Sequence, residues 1–328
     1  MKELPTDFNR VVWIFWLQGF DDAPDVVRLC ERSWRLSNPT WRVIALSQDN
    51  LADYVDKETL DTLARLEISV VKLANLLRFY LIGRYGGVWA DATVFCCKPL
   101  DSWLGDYMRS GFFAFKFDAA AWLNDNPSLI RSMFKVKKTE RILCSWFLAA
   151  EKGNRLPNAF FEAHRDFFAN NEFRMKGDAR DRKRKMLAFL SRNPRLSQLW
   201  VSPVILRTFK VYPYFILHYH FASLVTHDPV CRKIWNETPT HSPRETFTLI
   251  WKLVAPLSDE LRRTIDNSNA PMYKLTWKYK PGTSVEGCVL DLLMSRFPPP
   301  PRRDKGSVRE TLTPLSTFIP VWTDRVRS

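Results

Sequence analysis

The chain contains no apolar run long enough to cross a bilayer. Met1 to Arg10 is polar and Val11 to Leu17 is only strand length. Val211 to Val225 is interrupted by His218 and His220 and falls short of the roughly 20 residues a span requires. These absences predict a protein without an integral membrane segment, made and kept in the cytosol. The 6 cysteines, Cys30, Cys96, Cys97, Cys144, Cys231 and Cys288, form no Cys-x-x-Cys pair and have no histidine at zinc spacing. Reduced, buried thiols are expected in place of disulfides or a zinc site. A Ser-His-Asp order, a Walker loop and a Gly-x-Gly-x-x-Gly are also missing, so hydrolase, kinase and dehydrogenase chemistry has no foothold.

What is present bounds the answer from the other side. At 328 residues, 46% hydrophobic and 14% aromatic, the chain can bury a full core as one large or two small domains. A formal charge of +14 and a pI near 9.6 call for anionic partners: nucleotide-sugars, phospholipid head groups, lipid diphosphates or nucleic acid. A nucleic-acid binder driven by charge alone is an alternative that lacks any recognisable motif. The charge concentrates in Arg174, Lys176, Arg180, Arg182, Lys183, Arg184 and Lys185, set against Asp178 and Asp181. Such a segment is either a solvated surface or a patch for peripheral contact with an anionic membrane face.

Hydrophobic spacing orders the elements. Val11 to Trp16 reads as a buried strand, Pro24 to Ser37 as a helix and Trp41 to Leu46 as a second strand, the spacing of a parallel sheet. Leu60 to Leu66 and Val71 to Tyr85 read as helices, and Phe112 to Phe117 as a strand. Further on, Asn158 to Asn170, Pro243 to Leu257 and Ser284 to Phe297 read as helices, with Met272 to Tyr279 a strand between the last two. A nucleotide-binding α/β half over 1–155, a mainly helical acceptor-side half over 156–297 and a Pro-rich, basic tail over 298–328 are expected. His218, His220 and Asp228 would approach a metal only if a strand carried them. Partly buried histidines with hydrogen-bonded rings are the preferred reading.

The most informative stretch runs from Arg78 to Thr93. Leu73, Leu76, Leu77, Tyr80 and Leu81 recur at helical spacing, Gly86-Gly87 ends the helix, Val88-Trp89 starts a strand, and Asp91 lies where that strand opens into a loop. The carboxyl ends of strands border the ligand crevice in open α/β sheets, so Asp91 is placed to meet a metal or a sugar hydroxyl.

Asn75-Leu76-Leu77-Arg78, Gly86-Gly87-Val88-Trp89 and Asp91-Ala92-Thr93 resemble the glycosyltransferases of family 32 type, and most closely the bacterial capsular polysaccharide synthesis proteins. Trp13 to Gly19, Ser145 to Ala150 and Lys152-Gly153-Asn154 agree in the same order, so the resemblance spans roughly residues 11 to 155. It implies a GT-A-like fold, a nucleotide-sugar-binding Rossmann-type mixed sheet with a helical C-terminal extension. It further implies a retaining glycosyltransferase that moves a sugar from a nucleotide-sugar to a glycan or lipid-linked acceptor in surface polysaccharide assembly.

The same resemblance implies site roles. Asp91 and Arg78 are the catalytic candidates, and Trp16, Asn75, Gly87, Thr93 and Lys274 join them around the donor. Ser145 and Trp146 stand on the acceptor side. A divalent cation, Mn or Mg, would sit at Asp91 and Thr93. Ordinary structural roles compete: core packing for Trp16, an ion pair across the helix surface for Arg78, backbone conformation for Gly87, and a buried helical Trp for Trp146. Asn75 and Thr93 stand where the family more often carries acids, and Tyr273 where it more often carries His. A catalytically degraded nucleotide-sugar or glycan binder is therefore the second reading. Lys274 could neutralise a diphosphate, and Asp91→Ala is expected to cost little stability if Asp91 is a solvated loop acid.

Overall fold

The computed structural model describes residues 2–66, 68–116, 143–171, 207, 210, 212, 216–280 and 283–298. The basic segment from Arg174 to Lys185 and nearly all of the expected tail lie outside them. Among the described residues, no helix is long and apolar enough to cross a membrane.

Five strands form the central sheet: β1 (Val11–Phe15), β2 (Arg42–Leu46), β3 (Gly87–Ala90), β5 (Phe112–Lys116) and β6 (Leu143–Ala150). Their spatial order is β2-β1-β3-β6-β5. β1 pairs in parallel with β2 and β3, whereas β6 runs antiparallel to β3 and β5, which gives the expected mixed α/β sheet. All five residues of β1 are buried, as required of a strand covered on both faces.

The strand period divides the core into two layers. Val12, Ile14, Val88 and Ala90 face α1 (Asp25–Ser37), while Trp13, Phe15 and Trp89 face α3 (Val70–Tyr85). Beneath α3 lie α2 (Lys57–Arg65) and α4 (Arg155–Ala169), with α5 (Ile216–His227) and α6 (Pro229–Glu237) against them. A short ribbon of β4 (Val94–Cys96) and β7 (Met272–Lys274) joins the first layer together with α7 (Asp259–Asp266) and α8 (Val289–Arg296). The late part of the chain thus folds back onto the layer beneath β1 and β3.

Several expected boundaries move for identifiable reasons. α2 begins at Lys57 because the Asp56 carboxylate accepts the Thr59 amide at 2.8 Å, and α4 begins at Arg155 because Asn154 caps the Leu156 amide. The helix expected over Pro243 to Leu257 is a 3₁₀ turn, Arg244–Phe247, followed by irregular turns; the Thr246 and Thr248 hydroxyls bond back to the carbonyls of Pro243 and Glu245. α8 starts only at Val289, after Gly287 at φ 66°. The strand expected over Met272 to Tyr279 stops at Lys274, opposite Val94 where its partner β4 begins.

Gly86 and Gly87 turn the chain out of α3 into β3 at φ 75° and 90°. A Cβ on Gly87 would lie 2.4 Å from Val11 Cγ1 and 2.6 Å from the Val11 carbonyl oxygen. Gly87→Ala is therefore expected to cost about 2–4 kcal/mol, strain and overpacking together, because the obstacle includes backbone. A fall in the urea midpoint with unchanged slope is the measurement, and an unshifted midpoint would contradict this packing.

Candidate active site

Asp91 leaves β3 on a backbone held from both sides. Its amide donates to the Trp146 carbonyl at 2.9 Å, and its own carbonyl accepts from the Val94 amide at 2.8 Å. The carboxylate is equally committed. Oδ1 faces Arg78 Nη2 at 3.1 Å and accepts from Trp89 Nε1 at 2.9 Å, while Oδ2 faces Lys274 Nζ at 3.2 Å. Side-chain exposure is 25% for Asp91, 17% for Lys274 and 5% for Arg78, so the first two reach the surface and the third does not.

Arg78 occupies its place because α3 is buried on nearly every side. Its Nε donates to the Ala74 carbonyl at 3.2 Å, its Nη1 to the Ser145 carbonyl, and its guanidinium lies 5.4 Å from the Trp89 ring centre. The expected ion pair is present, but it points inward to Asp91 and not across the helix surface. Lys274 is set by the β4–β7 ribbon, in which it pairs with Val94, while the Leu275 amide donates to the Thr93 carbonyl at 2.8 Å. Its ammonium donates to Thr93 Oγ1 at 2.7 Å besides meeting Asp91.

Burial pushes the Asp91 carboxyl upward, but the charges of Arg78 and Lys274 and the Trp89 hydrogen bond outweigh it and hold the group below the usual carboxylate range. Among the described residues one carboxylate faces two cations, and the Lys274 ammonium is the positive group that reaches solvent. That charge favours an anion, while the exposed edge of Asp91 can still accept a hydroxyl.

Beside this cluster, Trp16 leaves β1 at the same edge of the sheet, since β1 and β3 run parallel with Trp13 opposite Trp89. Trp16 meets Trp277 edge to face at a centroid distance of 5.7 Å, and Trp277 is 44% exposed. The pair offers a flat aromatic surface to a base or a sugar ring.

Other expected residues fall elsewhere or act differently. Gly87 lies at the opposite end of β3 from Asp91, packed on Val11. Asn75 is buried on α3 one turn before Arg78 and is not among the groups that hold Asp91. Ser145 and Trp146 lie on strand β6, not on a helix, and reach the cluster through their carbonyls. The Trp146 indole stacks on Phe115 at 5.2 Å, and its Nε1 is buried without a partner.

His218 and His220 lie on helix α5, and Asp228 caps α6 through the Val230 and Cys231 amides, both at 2.9 Å. Among the described residues they join no cluster able to hold a metal ion, and His220 Nδ1 meets His164 Nδ1 at 2.7 Å within the second layer. Neither Trp277 nor the indole of Trp89 is assigned a role by the sequence motifs. The signal available for Trp277 was its place three residues after Lys274.

The donor set does not fit the expected divalent cation. Both Asp91 oxygens are engaged by cationic groups, Thr93 supplies only a neutral hydroxyl already bonded to Lys274, and no second carboxylate is among the described groups that hold Asp91. Among the described residues, no cluster of three or more His, Cys, Asp or Glu could hold a metal ion.

Residues 1–176 match the family model described as capsular polysaccharide synthesis protein, more than half of the 328-residue chain. The chain belongs to the capsular polysaccharide synthesis protein family. It is 29% identical over 102 residues to the initiation-specific alpha-1,6-mannosyltransferase of Saccharomyces cerevisiae (strain ATCC 204508 / S288c), an alignment covering 28% of this chain and 21% of that protein. This member of the capsular polysaccharide synthesis family therefore spans about a fifth of the curated relative it matches. A solved structure, PaToxG Glycosyltransferase, is similar over 79% of this chain and 84% of its own at 12% identity and a TM-score of 0.35. Asp91, Arg78 and Thr93 fall within the region matched by the capsular polysaccharide synthesis family, whereas Lys274 and Trp277 lie beyond it.

Proposed function

We propose that the chain is a GT-A-like glycosyltransferase that moves a sugar from a nucleotide-sugar donor to a glycan or lipid-linked acceptor in surface polysaccharide assembly. The observation that carries this reading is Asp91, pinned by Arg78 and Lys274 at the carboxyl edge of β3 where the parallel strand β1 also ends. Membership of the capsular polysaccharide synthesis family supports it, as does the similarity to the Saccharomyces mannosyltransferase.

In this reading each side chain has a distinct task. Arg78, which solvent scarcely reaches, orients Asp91 and keeps it ionised. The exposed part of Asp91 accepts a donor hydroxyl, and Trp16 with Trp277 stacks on a flat ring of the donor. Retention of anomeric configuration follows from the family resemblance. No second carboxylate stands beside Asp91 among the described residues to serve as nucleophile, so displacement on the same face of the sugar is the course adopted here.

Asn75 and Thr93, where relatives carry acids, favour the second reading of a degraded binder. Incubating the purified full chain with a panel of nucleotide-sugars separates the two. Release of nucleoside diphosphate from one donor, stimulated by a glycan acceptor, is expected. Saturable donor binding with no release over hours would establish the binder instead, and neither binding nor release with any donor would remove both readings.

A further inference from the structure

We infer that Lys274 occupies the place of the divalent cation, so that the ammonium and not a metal neutralises the departing diphosphate. This rests on the glycosyltransferase reading of the same site. Lys274 Nζ bridges Asp91 Oδ2 at 3.2 Å and Thr93 Oγ1 at 2.7 Å, the first and third positions of the Asp-Ala-Thr motif. An ion shared by those two oxygens would have to enter where the ammonium already lies.

The charges agree with the geometry. A divalent ion is usually held by two or more carboxylates, whereas one carboxylate and one hydroxyl match a single positive charge. Placement by the β4–β7 ribbon fixes the lysine without drawing on any ligand, and at 17% exposure its tip can reach a bound anion. Thr93 in place of an acid is then no defect. An acid there would add a second negative charge beside Asp91 and hold the ammonium away from phosphate.

The proposed step balances without a co-reactant. The bond between the sugar anomeric carbon and the diphosphate oxygen breaks and its electron pair stays on that oxygen, next to Lys274. A bond forms from the anomeric carbon to the acceptor oxygen, whose proton passes to the departing diphosphate.

Calorimetric titration of the full chain with inorganic pyrophosphate, first in EDTA and then with manganese, tests the assignment. Wild type is expected to bind in EDTA, with manganese changing the affinity less than about threefold. Lys274→Ala, which leaves the Arg78–Asp91 pair in place, is expected to bind at least about tenfold more weakly in EDTA. Lys274→Arg should stay within a few-fold of wild type, and thermal melts check that both variants fold. In Lys274→Ala combined with Thr93→Asp, binding should return only with manganese. Wild-type binding that requires manganese, or Lys274→Ala binding as well as wild type in EDTA, overturns the inference and leaves the donor site standing. Absence of pyrophosphate binding under every condition overturns the donor-site reading with it.

Discussion

Asp91→Asn is expected to lower sugar transfer by about a hundredfold or more, because an uncharged amide cannot order the cations that await the donor. The amide preserves shape and can still accept from Trp89, yet its NH₂ group would face either Arg78 or the Lys274 ammonium. Stability also falls. Arg78 is buried and would lose its ion pair with Asp91, a loss of about 2–4 kcal/mol, reduced because Asp91 itself reaches solvent. This reverses the expectation that removing Asp91 costs little, which assumed a solvated acid. The pair also has a pH signature. The folded-state value of Asp91 is depressed, so its stabilisation is complete above the unfolded carboxylate value of about 3.9 and fades only as pH falls further. A transfer assay beside urea titrations of both proteins measures the two effects, and unchanged turnover in Asp91→Asn would place the active site elsewhere.

Mild acid is expected to destabilise the chain through its buried histidines. His164 is fully buried and its Nδ1 touches that of His220, so one ring carries hydrogen there and the other accepts; two charged rings cannot share the contact. Burial, then His220 and Lys72, hold His164 far below the usual imidazole value. Burial and the charge of Lys72 bring His220 to about 3, and burial with Lys72 and Arg78 brings His218 to about 3 as well. Folded values below the unfolded one mean that the unfolded chain binds more protons. Stability is therefore complete above about pH 6.5 and is lost as pH falls toward 3. Between pH 7.5 and 5, a fully buried histidine contributes a loss of about 2 kcal/mol and each half-buried one about half of that after solvent screening, roughly 4 kcal/mol together. Urea midpoints across that range should fall steeply in wild type and less steeply in His220→Gln. Equal midpoints at pH 7.5 and 5 would mean that these rings are protonated freely in the folded protein.

Much of the architecture was legible because local signals agreed with one another. The apolar runs of β1 and β3, the spacing in α3 and the pair Gly86-Gly87 each specify their own conformation, and together they put Asp91 at a strand end. The errors fell where a side chain competes with the backbone, as Thr246 and Thr248 do in the turn expected to be a helix. His218 and His220 were open to a strand reading because the apolar stretch around them suits either conformation until neighbours cover it.

What the sequence determined by itself was the set of groups that could carry chemistry: Asp91, Arg78 and Thr93 in one motif, with Lys274 in another. Only the tertiary structure decided what they do to each other. Lys274 lies 183 residues from Asp91, and the ribbon of β4 and β7 is what joins them. Whether Arg78 lies across a helix surface or beneath a carboxylate depends on α3 being covered on nearly every side, which its own residues do not specify. The charge of a site is a sum over groups brought within a few ångströms by folding, and spacing along a chain has no record of that sum.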